Sequence, residues 1–221
     1  MESAVNRKHI FLFSVILLSG MAQIPFAKAA DREERVIVDA DARFGDGLAV
    51  WVPRLLLRVE NRFDADSVKY EQFTLGISHA WKPWLKTAVY TTPREVFSSQ
   101  KPDAWKNVHG ADVIFSWTWK HWTLADRETA EWHVTDGFVR NRNQADLRFE
   151  LHPRLQLFGF YEWRWDLDAA RVNMQTAGGG LIWRVRPSWS MRLVLADELN
   201  RRGLDDWKAV HFAALILSLS L

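Results

Sequence analysis

An alternation of residue character with period two runs through most of this sequence and leaves few folds open to it. Asp146-Leu147-Arg148-Phe149-Glu150-Leu151 alternates charged and apolar side chains without a fault, and Phe160-Tyr161-Glu162-Trp163-Arg164-Trp165 repeats the pattern with aromatics. Successive side chains of an extended strand point to opposite faces, so this spacing specifies strands with one apolar and one polar face. Asp112 to Trp119 places Val113, Phe115, Trp117 and Trp119 on one face, and Ala213 to Leu221 does the same with Ala213 and four leucines. The spacing predicts ten strands, at about 54–63, 68–81, 84–91, 105–119, 122–134, 142–151, 155–165, 172–185, 189–199 and 207–221.

The connections between these segments also alternate. One set is tight: Lys82-Pro83, Lys120-His121, His152-Pro153-Arg154 and Arg186-Pro187-Ser188. The other set is longer or more acidic, at 64–67, 92–104, 135–141, 166–171 and 200–206. An even number of antiparallel strands with short turns at one end and longer loops at the other is the plan of an outer-membrane barrel. The fold expected is therefore all-β, an antiparallel up-and-down transmembrane β-barrel of about ten strands over 48–221, with both ends on the periplasmic side. A closed barrel satisfies every backbone group in lipid and leaves no edge strand. The thirteen Trp residues fit this plan. Trp81, Trp84, Trp119, Trp122 and Trp189 flank the tight turns, while Trp105, Trp163, Trp165 and Trp207 sit near the longer loops, as two interfacial girdles require. A soluble β-sandwich or lipocalin-like barrel is the competing fold. The Arg and Glu at alternate positions within single strands argue against it, because a soluble barrel buries that inner face.

The first 29 residues read as a secretory signal peptide. Arg7 and Lys8 precede a nine-residue apolar run, Ile10 to Leu18, and Ala27-Lys28-Ala29 supplies a small-x-small cleavage site. Ser19, Gly20, Gln23 and Pro25 interrupt the run well short of the ~20 residues of a membrane helix. Export places the chain in the outer membrane of a Gram-negative cell, with outer-membrane lipid, lipopolysaccharide and the assembly machinery as its partners. Residues 30–47, charged apart from Val36-Ile37-Val38, read as a periplasmic N-terminal extension with room for one short strand. Without the leader's Arg7, Lys8, Lys28 and Glu2, 26 basic and 26 acidic residues remain, so no basic excess points to nucleic acid. The absence of Cys excludes disulfides, thiolate metal sites and a Cys nucleophile. No cofactor or metal motif is present, and Gly178-Gly179-Gly180 lacks the Lys-Ser/Thr of a phosphate loop; it reads as a bulge or bend that throws an inward Gln175 out of phase with Trp183.

The polar face collects Arg58, Glu60 and Arg62, then Arg127, Glu131 and His133, then Arg142, Gln144, Asp146, Arg148 and Glu150, and finally Glu162, Arg164, Arg192 and Glu198. On a membrane barrel these charges must face the lumen, because at the lipid midplane each costs about 2–4 kcal/mol. A narrow lumen excludes water, so each charge needs a partner, and Arg binds a carboxylate bidentately. The leading function is structural or passive, a small barrel closed by an ion-paired lumen. Two others compete: a narrow channel or solute-binding porin, and an outer-membrane hydrolase using His133, Glu131 and a hydroxyl from Ser116 or Thr118. The oligomeric state is not readable.

Four tracts in this order, LLLRVENRF (55–63), ADRETAEWH (125–133), RNRNQADLRFEL (140–151) and LFGFYEWRWD (157–166), resemble a bacterial family of outer-membrane barrels known only as a domain of unknown function. The resemblance covers most of 48–221 and implies location and topology, with no reaction, substrate or catalytic residue. The chain departs from such barrels at Leu221, where an aromatic residue is common.

Overall fold

The computed structural model describes residues 31–43, 54–63, 68–96, 104–201 and 207–220. Side chains are described for Arg35, Ile37, Val38 and Asp39 and, within these stretches, from Gln72 to Leu219. The leader read at 1–29 lies outside the described residues. Eleven strands close into a single barrel: β1 (Asp31–Arg43), β2 (Arg54–Phe63), β3 (Val68–Lys82), β4 (Leu85–Val96), β5 (Ala104–Trp119), β6 (Trp122–His133), β7 (Phe138–His152), β8 (Leu155–Asp166), β9 (Arg171–Arg186), β10 (Trp189–Arg201) and β11 (Trp207–Ser220). Neighbours from β2 to β11 pair antiparallel in chain order, as an up-and-down plan requires.

The strand count departs from the even number expected, and the reason lies in 30–47. The stretch read as an extension forms a 13-residue strand of the barrel wall. β1 pairs antiparallel with β2, from Glu34 opposite Phe63 to Arg43 opposite Arg54. It pairs parallel with β11, from Asp31 opposite Val210 to Asp41 opposite Ser220. Closure therefore runs through one parallel seam, which an odd number of strands demands. The two ends of the barrel segment are consequently apart: Asp31 lies at the end of the longer connections, and Ser220 at the end of the tight turns.

Turn chemistry sets the register of the hairpins. Pro83-Trp84, Pro153-Arg154 and Pro187-Ser188 place Pro first in a two-residue turn, where its fixed φ suits the bend. Lys120-His121 does the same with Lys120 in the left-handed region at φ 53°. At the other end Gly137, φ 72°, closes the 134–137 turn by donating its N–H to the His133 carbonyl at 2.8 Å. β4 runs on to Val96 through Pro93, which the sequence reading placed in a loop. The recorded β3–β4 pairing passes from Leu75–Thr91 to Gln72–Arg94, leaving out the Pro93 position, where the Thr74 and Thr92 hydroxyls bond at 2.9 Å instead.

The alternation resolves into two walls. Val89, Val113, Trp117, Leu157, Leu181, Leu193 and Leu195 are exposed on the outside. Exposed Trp residues form two groups, Trp81, Trp84, Trp119, Trp122 and Trp183 at the tight-turn end and Trp105, Trp132 and Trp165 at the other. The inner positions of β8 to β11 and β1 hold an apolar cluster of Phe158, Ile182, Val194, Ala196, Phe212, Ala214, Ile216 and Ile37, with Phe160 packed against it.

The triple glycine produces no bulge: β9 holds continuous register with both neighbours from Met174 to Ile182. Gly178 and Gly180 point inward beneath aromatic rings. A Cβ on Gly178 would stand 2.8 Å from Phe160 Cε1 and 2.7 Å from the Leu195 carbonyl oxygen. A Cβ on Gly180 would collide with the Leu193 carbonyl and stand 3.3 Å from Phe158 Cε1. Only glycine fits at these positions, because the β10 backbone, Ala196 and the Phe158 and Phe160 rings leave no room for a Cβ. Gln175, expected inward, faces out and accepts the Tyr161 hydroxyl at 2.9 Å. Gly180→Val is expected to cost about 1–3 kcal/mol in reversible unfolding, from overpacking against backbone. Gly159→Ala, whose Cβ has its nearest neighbour at 3.7 Å, serves as the near-neutral control.

Candidate functional site

The inner face of β5 to β8 carries the charges. Asp112 on β5 is the hub of one group: Arg127 Nε donates to its Oδ2 at 3.0 Å, Arg127 Nη2 adds a second, shorter bond, and Thr129 Oγ1 donates to Oδ1 at 2.7 Å. Asp112 and Thr129 are both buried, and a buried carboxylate needs this full set of donors. Nearer the longer connections a second group joins β6, β7 and β8. Arg164 Nε donates to Glu162 Oε1 at 2.9 Å, and Arg142 stands between Glu131 at 3.5 Å and Glu162 at 3.9 Å. His133 Nε2 lies 3.4 Å from Glu131 Oε2, and its ring stacks on Phe138 at 4.2 Å. Arg140 pairs with Asp166 at 2.8 Å at the rim.

A third pair crosses from β1 to β10. Arg35 Nη2 donates to Glu198 Oε2 at 2.9 Å, while its guanidinium carbon lies 3.5 Å from the centre of the Phe212 ring. Asn200 Nδ2 donates to the other Glu198 oxygen at 2.7 Å. Asp146 accepts from Gln144 Nε2 at 3.2 Å. Arg148 stands opposite Phe158 and Glu150 opposite Gln156, on the same inner face.

The structure thus brings Arg127, Glu131, His133, Arg142, Asp146, Arg148, Glu150, Glu162, Arg164 and Glu198 onto one lumenal surface, and all but Asp146, Arg148 and Glu150 fall into the three groups of bonds. For Arg58, Glu60 and Arg62 the backbone register is described and the side chains lie outside the described ones. They stand opposite Asp39, Ile37 and Arg35, respectively. The proposed hydrolytic set is not assembled. Ser116 pairs with Ala125 and Thr118 with Thr123, near the tight turn. His133 ends the same strand eight residues beyond Ala125, about 26 Å at ~3.3 Å per residue. Among the described residues no group of three His, Asp or Glu side chains could hold a metal ion.

Sequence reasoning missed Asp112, Arg35 and the outward carboxylates. Asp112 opens a tract already counted as a strand, and the same count places it inside. Asp126 and Glu128 alternate with Arg127 and Thr129, so they face out, where both accept from the Asn143 amide.

Between the charged surface and the apolar cluster lies a cavity of about 450 Å³. Its lining extends from Arg164 and Glu198 down to Lys86, Ser218 and Leu219 at the tight-turn end. A family-model comparison gives no match for this chain, and a comparison with curated proteins gives none.

Proposed function

We propose that this chain is an outer-membrane β-barrel of structural, passive role, exported by a cleaved leader at 1–29 and closed to ion flow by its own lumenal ion pairs. The observation that carries this reading is the partition of charge. Arg127, Glu131, Arg142, Glu162, Arg164, Arg35 and Glu198 are turned inward and paired, while the outer wall exposes Leu, Val and Trp. Lipid accepts such a wall and water disfavours it. The two groups of exposed Trp fit interfacial girdles, and strands of 10–16 residues are long enough for the ~9–11 needed to cross obliquely. The tracts that resemble the outer-membrane barrel family of unknown function point to the same location. An odd count with a parallel seam is unusual for a bacterial barrel, but it closes the sheet as completely as an even one.

A narrow channel is the second reading, favoured by the cavity that reaches the tight-turn end. Planar-bilayer recording on the purified protein separates the two. The structural reading expects no conductance steps above leak, together with retention in the membrane fraction and heat-modifiable gel migration. Regular ion-selective steps would replace it with the channel. Recovery as a detergent-free, water-soluble monomer would overturn both.

A further inference from the structure

The four tight turns carry cations and no carboxylate. Residues 81–85, 118–123, 151–156 and 183–190 contain Lys82, Lys120, Arg154, Arg184 and Arg186, all exposed, with His121 and His152 beside them, and no Asp or Glu. Among the described residues none of these five cations pairs with a carboxylate. The longer connections differ: there Lys106 pairs with Asp136 at 2.9 Å and Arg140 with Asp166 at 2.8 Å. Glu150, the nearest acid along the chain, lies on the inner face opposite Gln156. Asp39 and Asp41 stand on β1, beyond β11 from β9 and β10. Beside this basic collar are the exposed Trp81, Trp84, Trp119, Trp122 and Trp183, with Lys120 Nζ 4.9 Å from the centre of the Trp119 ring. Exposed Leu157, Leu181 and Leu193 follow along the strands. Cation, aromatic ring and aliphatic chain in that order match the layers of a membrane interface.

On the outer faces of β8, β9 and β10 the collar borders a groove of about 550 Å³. Leu181, Trp183, Met191 and Leu193 make its apolar bed, and His152 and Arg154 its rim. Backbone bonds fix the rim: the Arg154 N–H donates to His152 Nδ1 at 3.3 Å, and the Arg154 carbonyl accepts the Arg184 N–H at 2.8 Å. Towards the middle of the barrel the bed continues over Gly159 and Gly179, which stand opposite each other on the outer wall. A Cβ on Gly159 would have its nearest neighbour at 3.7 Å, so the wall is low there. From Trp183 to Ala177 β9 rises ~20 Å, which at a tilt of about 40° spans about half of the ~30 Å apolar layer, the depth of one acyl chain. Charge selects the head. A guanidinium binds a phosphate bidentately. The ammonium of a zwitterionic headgroup would meet cations and no carboxylate at these turns, so a headgroup of net negative charge is favoured. We infer that the tight-turn end is a docking surface for anionic phospholipid. The β8–β10 groove seats one such molecule, its phosphate on Arg154 and a chain over Leu181 and Leu193 towards Gly179. This inference rests on the outer-membrane reading, which sets the short turns at the periplasmic leaflet.

The test is native mass spectrometry of the folded full chain in detergent, titrated with dioleoyl phosphatidylglycerol or dioleoyl phosphatidylethanolamine. One tightly held phosphatidylglycerol per chain is expected, bound about tenfold or more tighter than phosphatidylethanolamine. Arg154→Gln changes an exposed turn side chain and leaves the backbone bonds of the turn in place. It should weaken phosphatidylglycerol about fivefold or more, the scale of one Arg at an anionic surface, and change phosphatidylethanolamine little. Lys120→Gln, on the β5–β6 turn and away from the groove, should leave the one-to-one site unchanged. Neither glycerophosphoglycerol, which has the head and no chain, nor inorganic phosphate should displace the lipid. Equal affinity for the two lipids overturns the inference, as does binding that Arg154→Gln leaves unchanged. An equal loss with Lys120→Gln would spread the effect over the collar and overturn the groove site. Displacement by glycerophosphoglycerol or phosphate would replace the lipid with a free anion and also overturn it. A heat-modifiable membrane barrel without this lipid preference would lose the inference alone, whereas recovery as a water-soluble monomer would remove the membrane reading and the inference with it.

Discussion

Glu162→Ala should lower the stability of the folded barrel by about 3–5 kcal/mol, the cost of leaving a buried charge without its partner. Glu162 is buried and accepts from Arg164 at 2.9 Å, while Arg142 lies 3.9 Å away. Arg142 keeps Glu131 at 3.5 Å after the change, so the burden falls on Arg164. Arg164→Met alone should cost less, because Glu162 retains Arg142. The double variant Glu162→Ala with Arg164→Met should lie well below the sum of the two single effects, because it removes the stranded charge as well as the pair. Denaturant unfolding followed by the emission of the thirteen Trp residues measures all three. A change below about 1 kcal/mol for Glu162→Ala would mean that Arg164 is hydrated once its partner is gone. A lumen that wet does not seal the barrel, and the structural reading would give way to the channel.

The strands were legible where one face is polar and the other apolar. In 146–151 and 161–165 the lumenal residues are charged and the outer residues are Leu, Phe, Tyr and Trp, so period two shows directly in the sequence. It fails where the lumen itself is apolar. Val36-Ile37-Val38 offers no alternation, because Ile37 joins the inner apolar cluster while Val38 is exposed outside. β1 was therefore read as a short strand in an extension, and the odd count and parallel seam went with it. β11 shows the same property, with Phe212, Ala214 and Ile216 inside and Leu215, Leu217 and Leu219 on the other face. Its length still marks it as a strand, but only the Leu face shows as periodic in the sequence.

Cross-strand chemistry accounts for what else was hidden. A glycine triplet suggests a bend until the register sets Phe158 opposite Gly180 and Phe160 opposite Gly178. The charged inner surface was readable as a set, and its division into an Asp112 group, a Glu131–Glu162 group and the Arg35–Glu198 pair was not. That division depends on which strands are neighbours and on which residues stand opposite. Arg35 reaches Glu198 only because the barrel closes through β1.

Leu195→Arg should destabilise the barrel in a lipid bilayer by about 2–4 kcal/mol and have little effect on a water-soluble one. Leu195 lies in the middle of β10 and is 72% exposed, the most exposed of the large apolar side chains described. Its cross-strand neighbours on the outer wall are Gly179 and Ala213, which provide no carboxylate to meet a guanidinium, and Asp197, two residues along the same face, is already held by His211. A long side chain on a central strand cannot carry its charge to the interface without stretching across the apolar band. The outer carboxylates give the reverse experiment. Asp126 on β6 faces out and is held by the Asn143 amide, so Asp126→Leu exchanges a costly lipid-facing acid for an accepted residue, at the loss of one hydrogen bond. In a bilayer the gain should outweigh that loss, because the charge no longer has to be held away from water. In water the sign should turn, since an exposed Leu gains nothing and the bond is gone. Unfolding from lipid vesicles and in detergent-free buffer measures both variants. A barrel that is unaffected by Leu195→Arg and weakened by Asp126→Leu in vesicles would have its outer wall in water, and the outer-membrane assignment would fall with it.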